Sequence, residues 1–454
     1  MNPLIFREYD IRGIADSELG DDDVFRLGQA YGTYIQNHGV TRCVIGRDVR
    51  LSGPRIQAAL TAGVLSTGTD VINIGVVPTP VLYFSFFHLN VSAGVMITAS
   101  HNPPQFNGFK VGFDKTTIFG TDIQDLRRLM ELGEFKSGSG RTESRDVIPD
   151  YIAMCRSKVA IPASLEIVFD PGNGTAGVLL ERLFAGTHVK PKFINLVPDG
   201  TFPAHIPDPT LPESMRQMAE LVGSTGADCG IGYDGDADRI GAIDDTGASV
   251  YGDRLLGIFA KDVISRNPGA EIVFEVKCSQ ALVEYIMRLG GRPLMYKTGH
   301  SLIKAKMKKD GALLAGEMSG HMFFADDYYG YDDAIFASLR LLRILATSGR
   351  KLSELSAEMP RYFSTPEIRV DCPDNIKFDV VRELTERFKS RYPVIDIDGA
   401  RVVFDDGWGL IRASNTQPVL VLRFEAKTES RLAAIRSIFA EELRRYPEIR
   451  LPTV

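Results

Sequence analysis

Three stretches of the chain repeat one hydrophobic plan: an apolar, β-branched run, then a loop of glycines or polar residues, then a helical pattern. They are Cys43–Asp48 (CVIGRD), Ile167–Gly174 (IVFDPGNG) and Ile272–Lys277 (IVFEVK). Continuous apolar strands that alternate with helices predict sheets covered by helices on both faces, because a strand without a polar alternation has no face for water. The helical periodicity agrees. Met215, Met218, Ala219 and Val222 recur at i, i+3, i+4 and i+7, and Pro212 suits a first helical turn. The last part of the chain has another order. Ile376 to Arg391 reads as a helix, Arg401–Phe404 and Val419–Phe424 read as strands, and Leu432, Ile435 and Phe439 mark a final helix. Strands grouped between helices predict an α+β unit. The expected fold is therefore α/β, with three similar mixed α/β domains and a C-terminal α+β domain. Breaks are expected at 1–146, 147–250, 251–362 and 363–454, where polar runs or prolines interrupt the pattern.

Composition narrows the class. A chain of 454 residues exceeds what one core supports, and 44% hydrophobic with 24% charged residues is the balance of a globular protein. The net charge of −6 argues against nucleic acid or an anionic membrane as partner, yet leaves room for a cleft with local cations. The N-terminus MNPLIFREYD has no targeting pattern, and no apolar run is long enough to span a bilayer. Cys43, Cys155, Cys229, Cys278 and Cys372 lie far apart without metal or redox spacing, so free thiols in a reducing cytoplasm are expected.

Four loops carry candidate chemistry. Thr98-Ala99-Ser100-His101-Asn102-Pro103 follows the apolar run Ala93–Ile97, and active-site loops sit at such strand ends. Ser100 is a candidate nucleophile that needs activation; alone it could equally cap a turn. Asp234-Gly235-Asp236-Ala237-Asp238-Arg239 places acids at alternate positions, which in an extended loop would share one side. Three converging carboxylates repel until a hard cation joins them, and oxygen-only ligands suit Mg²⁺ or Ca²⁺. An EF-hand is excluded, since Arg239 and Asp245 stand where glycine and glutamate are required. Gly316-Glu317-Met318-Ser319-Gly320-His321 offers groups for sugar hydroxyls, with Lys297-Thr298-Gly299-His300 upstream. Arg412-Ala413-Ser414-Asn415-Thr416, between the two strands of the last domain, matches a phosphate dianion.

In this order, together with Tyr9-Asp10-Ile11-Arg12-Gly13, the motifs TASHNP, DGDADR, GEMSGH and RASNT resemble the α-D-phosphohexomutase superfamily along the whole chain. The details TASHNPPQFNGFK, VKCS, KTGHSLIK and RASNTQP are similar to its bacterial phosphomannomutase/phosphoglucomutase branch. Asn415 stands where phosphoglucosamine mutases usually carry glycine, which makes that branch the second choice. The resemblance implies four domains around a central cleft, the last one mobile. It implies phosphoserine at Ser100, with one Mg²⁺ on Ser100, Asp234, Asp236 and Asp238. Arg12, His101, Lys110 and Arg239 would act on the transferring group, and a general base would come from His321, His101 or Lys110. Tyr9, Lys277, His300, Glu317, Ser319, His321, Arg412, Ser414, Asn415 and Thr416 would bind substrate. The implied reaction exchanges phosphate between C1 and C6 of mannose or glucose through a hexose 1,6-bisphosphate, with glucose 1,6-bisphosphate as activator. A monomer is the expected state. A phosphatase of the haloacid dehalogenase type, with Asp234 as nucleophile, and a sugar-binding protein are the rivals from other classes.

Overall fold

The computed structural model describes residues 1–415 and 417–449; the substrate-binding expectation for Thr416 lies outside them. The described residues form four sheets. The first runs in the order Ile11–Ile14, Phe106–Phe113, Gly94–Ile97, Arg42–Arg47, Asp70–Val76, Thr142–Ser144. The second runs Ser249–Val250, Ile240–Ile243, Cys229–Tyr233, Leu165–Asp170, Val189–Phe193, and the third Arg292–Tyr296, Glu271–Glu275, Leu314–Gly316, Met322–Phe324. The fourth includes Val419–Ala426, Gly407–Ala413, Ala400–Phe404 and Val394–Ile395.

The first three sheets share one topology. Their central strands are parallel, and each ends in one antiparallel pair: Gly94–Ile97 with Phe106–Phe113, Cys229–Tyr233 with Ile240–Ile243, and Leu314–Gly316 with Met322–Phe324. The loops joining these pairs are 98–105, 234–239 and 317–321, which carry the serine, acidic and sugar motifs. The 414–418 loop likewise joins the antiparallel strands Gly407–Ala413 and Val419–Ala426. All four motifs thus occupy the same position in their sheets, at the carboxyl end of a buried strand, where side chains can leave the sheet without interrupting it.

Two local expectations change. Arg412 is not in a loop: it lies in Gly407–Ala413, a strand that the sequence reading missed. Glycines at 407 and 409 obscure its apolar alternation, although Trp408, Leu410 and Ile411 are buried. The acidic loop is not extended either. It is a tight turn, with the Ala237 N–H donating to the Asp234 carbonyl and Ala237 at φ 60°. Turning the chain brings the acids together more closely than alternation would.

One continuous core joins the second and third sheets to part of the first, while the fourth sheet packs its two helices, Lys377–Lys389 and Glu429–Leu443, around a core of its own. The fourth unit is fastened to the third by polar contacts. Arg401 lies 3.7 Å over the Trp408 ring and donates to the carbonyls of Val276 and Cys278, and Glu425 accepts from the Gln280 N–H.

Candidate active site

Ser100 is buried and sits at φ 51°, left-handed backbone that a residue with a side chain adopts only when its surroundings force it. Arg50 supplies the force. Its fully buried guanidinium donates to the carbonyls of Ser100, Asn102, Pro103 and Phe106 at 2.6–2.9 Å and is held by Asp48 at 3.1 Å. Thr98 completes the clamp, donating to Asp48 at 2.7 Å and accepting the Ser100 N–H at 2.9 Å. Sequence reasoning missed Arg50, because a lone arginine after a strand carries no local signal. Arg50→Met removes the cation from a buried pair and leaves four carbonyls without their donor. A loss of about 3–5 kcal/mol is expected, read as a lower denaturant midpoint with unchanged slope.

The Ser100 hydroxyl donates to Asp234 Oδ2 at 2.6 Å and lies 3.1 Å from His101 Nδ1. Contact this close needs Gly235, since a Cβ there would stand 2.5 Å from the Ser100 carbonyl oxygen. Asp234 Oδ1 accepts the backbone N–H groups of Asp238 and Arg239, both at 3.1 Å. Asp236 Oδ2 accepts from Thr79 and from Lys110, each at 2.6 Å, and Lys110 also reaches Asp238. All three acids are fully buried, and Oδ1 of Asp236 and of Asp238 has no hydrogen-bond partner. Burial and the neighbouring carboxylates push the Asp234 carboxyl well up. Burial would raise Asp236 too, but Lys110 outweighs it and holds that carboxylate down. Two orphaned oxygens within 4.8 Å of a third carboxylate form an all-oxygen donor set, which a hard divalent cation fits.

A cavity of about 510 Å³ opens in front of Ser100. It is lined by Tyr9, Arg12, Ser100, His101, Lys110, Arg239, Lys277, His300, Glu317, Ser319, His321, Arg412 and Ser414, so the structure brings these predicted residues together. The three aspartates lie behind this wall, and Asn415 is not part of it. The wall also contains Asn102, Glu367 and Arg369, which the sequence reading did not single out. Asn102 was visible inside the serine motif, and it accepts from Arg12 at 3.0 Å. Glu367 and Arg369 lie in no motif; Glu367 pairs with Lys277 at 3.0 Å and with Arg369 at 2.9 Å.

Charge in the cavity departs from the chain average. Arg12, Lys110, Arg239, Lys277, Arg369 and Arg412 face Glu317 and Glu367, a cationic excess inside an acidic protein. Burial, then Arg239 and Arg12, push the His101 imidazole well below its ordinary range, so it is neutral near pH 7. Burial and Asp10 push the Tyr9 phenol up to about 12, so it stays protonated. Arg412 is fixed by Asp398 at 2.9 Å, and the same carboxylate accepts the Thr298 N–H at 3.0 Å.

Behind the acidic loop, His205 Nε2 lies 3.0 Å from Asp170, joining the 171–174 loop to the rim at Pro209 and Thr210. Burial lowers the pKa of His205, but the hydrogen bond to Asp170 outweighs it and the net shift is upward. A raised folded-state value means that the stabilisation is complete below the unfolded value of about 6.5 and fades as pH rises through the folded one. The Tm difference between the wild type and His205→Gln should be largest in mildly acidic buffer and shrink toward alkaline pH. A pH-independent difference would refute the charged pair.

Family models agree with this architecture. Those described as phosphoglucomutase/phosphomannomutase alpha/beta/alpha domains I, II and III match residues 3–134, 149–247 and 251–362, and the C-terminal domain model matches 367–442. The chain is 44% identical over 443 residues to a phosphomannomutase/phosphoglucomutase of Pseudomonas aeruginosa, covering 97% of this chain and 95% of the relative. It is 40% identical to a phosphoglucomutase of Neisseria meningitidis, covering 99% and 98%. A crystal structure of a phosphoglucomutase/phosphomannomutase family protein from Burkholderia thailandensis superposes with a TM-score of 0.92 at 39% identity over the full length of both chains. With its motif loops gathered on one cavity and every domain matched in order, the chain belongs to the phosphoglucomutase/phosphomannomutase family.

Proposed function

We propose that the protein is an isomerase that moves phosphate between C1 and C6 of mannose or glucose, storing the phosphoryl group on Ser100. The observation that carries the reading is the Ser100 hydroxyl 2.6 Å from Asp234, at the wall of a cationic cavity. In one half-reaction a sugar hydroxyl oxygen bonds to phosphorus, the P–Oγ bond breaks, and its electron pair stays on Ser100. The bisphosphate then turns over, and its other phosphate returns to Ser100. No net donor is consumed. A cavity of about 510 Å³ has room for a hexose bisphosphate to turn, and its cations suit a ligand with phosphate at both ends.

Asp234, Asp236 and Asp238, with Ser100, would hold one Mg²⁺, which when bound offsets charge on the transferring phosphoryl oxygens. Arg12 and Arg239 reach the same oxygens by charge-assisted hydrogen bonds. Lys110 is held charged between two carboxylates, its pKa raised by Asp236 and Asp238 against the effect of burial. It acts as a cation, and the proton acceptor is left to a histidine. Arg412, Ser414, Asn415 and Thr416 take the non-reacting phosphate. Tyr9, Lys277, His300, Glu317, Ser319 and His321 grip the sugar. Glucose 1,6-bisphosphate serves as activator by rephosphorylating Ser100 after intermediate escapes.

The phosphatase alternative asks Asp234 to attack phosphorus, but both its oxygens are engaged, by Ser100 and by two backbone N–H groups. Five buried free thiols fit a cytoplasmic enzyme, and a monomer suffices, since every residue named here comes from one chain. A coupled assay with mannose, glucose and glucosamine 1-phosphates, with and without glucose 1,6-bisphosphate, tests the reading. Turnover of at least one neutral sugar phosphate without release of inorganic phosphate is expected. Turnover of the amino sugar alone would move the chain to the phosphoglucosamine branch.

A further inference from the structure

Behind the cavity wall lies a buried ion pair that the mechanism above does not use. Lys304 Nζ donates to Asp332 Oδ1 at 2.8 Å, and both residues are at most 5% exposed. Two imidazoles stack against this pair, His300 and His321, with ring centroids 5.4 Å apart and planes 25° from parallel. Each histidine turns Nδ1 toward the pair, but the two meet different members of it.

His300 sits one helical turn before Lys304 in the helix His300–Asp310, so the two side chains share a face. Lys304 Nζ lies 3.3 Å from His300 Nδ1. An ammonium only donates, so His300 Nδ1 is the accepting nitrogen and the ring proton is on Nε2. His321 is the reverse. Arg239 Nε lies 3.1 Å from His321 Nε2, and a guanidinium also only donates. Nε2 therefore carries the lone pair and Nδ1 the proton. That Nδ1 lies 3.2 Å from Asp332 Oδ2, and each of these two buried atoms lacks any other hydrogen-bond partner among the described residues.

We propose that the Lys304–Asp332 pair sets opposite tautomers on the two histidines, so that His300 offers the cavity an N–H donor and His321 a bare proton acceptor. Lys304 and Asp332 are then positioning residues, and His321 Nε2 is the base for the attacking sugar hydroxyl. The inference rests on the phosphoryl-transfer reading for its catalytic consequence. His321 takes the hydroxyl proton as the sugar oxygen bonds to phosphorus. That proton is the one Ser100 Oγ requires when the P–Oγ bond breaks and leaves the electron pair there. The second half-reaction runs the same transfer backwards, so the proton count closes. His300, neutral because burial and then Lys304 push its pKa well down, donates to a phosphoryl or sugar oxygen.

Rigidity of the pair comes from the next residue. Asp333 caps the helix Ala334–Ser348 through the Phe336 N–H at 2.8 Å and accepts from Tyr328 at 2.7 Å and from Tyr151 at 2.8 Å. Tyr151 belongs to the helix Ile148–Lys158, so the backbone at Asp332 is fixed from two directions.

The test is long-range ¹⁵N–¹H NMR on the full chain labelled at its seven histidines, with His300→Gln and His321→Gln used only to assign signals. The expected spectrum shows His321 protonated at Nδ1 and His300 at Nε2. Finding both rings in one tautomer, or the assignment reversed, would overturn the proposal without any variant having to fold. In Lys304→Met, the His300 tautomer should change while that of His321 stays. In Asp332→Asn, the His321 proton should move to Nε2, with kcat down about 100-fold or more and KM within about threefold of wild type. A folded Asp332→Asn protein with wild-type kcat would exclude the base role. Failure of the wild type to turn over hexose phosphates would instead sink the reaction assignment and leave the tautomers standing.

Discussion

Replacing Ser100 with alanine should lower mutase turnover by roughly 10⁴-fold or more, with little change in stability. The effect is large because Ser100 is proposed to be the atom store of the reaction: without Oγ there is no bond from which the phosphoryl group can leave or to which it can return. The small structural effect follows from how the loop is held. Arg50 grips carbonyl oxygens, and Thr98 accepts the Ser100 N–H, so neither anchor uses the serine side chain. The one bond lost is that from Oγ to Asp234. Turnover and thermal unfolding of the same preparation provide the check, with mass spectrometry for a covalent phosphoryl group in the wild type. A Ser100→Ala protein with full turnover would exclude the phosphoserine route altogether.

The second large effect is expected at Asp236. Asp236→Ala removes one arm of the acidic turn and leaves Thr79 and Lys110 short of a buried acceptor. Loss of a direct ligand should weaken Mg²⁺ binding by about 100-fold, the upper end of what losing even a residue behind a ligand costs. At free Mg²⁺ about 100 times the wild-type Kd, the wild type gains about 2.7 kcal/mol of stability from the ion, and the variant about 0.4 kcal/mol. Comparing the Mg²⁺-dependent gain within each protein separates this effect from the lost hydrogen bonds, which act with or without the metal. Turnover should follow the same titration. Equal gains in the two proteins would place the ion somewhere other than the acidic turn.

Reading the chain by pattern worked where the physics is local. Parallel strands such as Ile167–Asp170 are apolar at every position because both faces are covered, and the helix Pro212–Thr225 declares itself by its period and its first proline. The four motif loops were legible because glycines and polar clusters must interrupt such strands somewhere. The pattern failed at Gly407–Ala413, where glycines replaced the side chains that would have marked the period, and Arg412 was consequently assigned to a loop. It also gave the wrong geometry for the acids, which converge through a left-handed Ala237 and not by alternation.

The sequence by itself determined the order of the elements, the motif each sheet carries and the type of group available at each loop. Only the tertiary structure decided which groups meet. Ser100 finds Asp234 across 134 positions, Lys110 finds Asp236 across 126, and Arg50 finds the serine loop's carbonyls about 50 positions away. Burial of apolar surface is non-directional and leaves a periodic trace in the chain. A buried charge or donor must instead satisfy particular atoms at particular distances, and those atoms come from whichever strand end the fold delivers there. For that reason Arg50, Lys304 and Asp332 read as ordinary charged residues until the sheets are assembled around them.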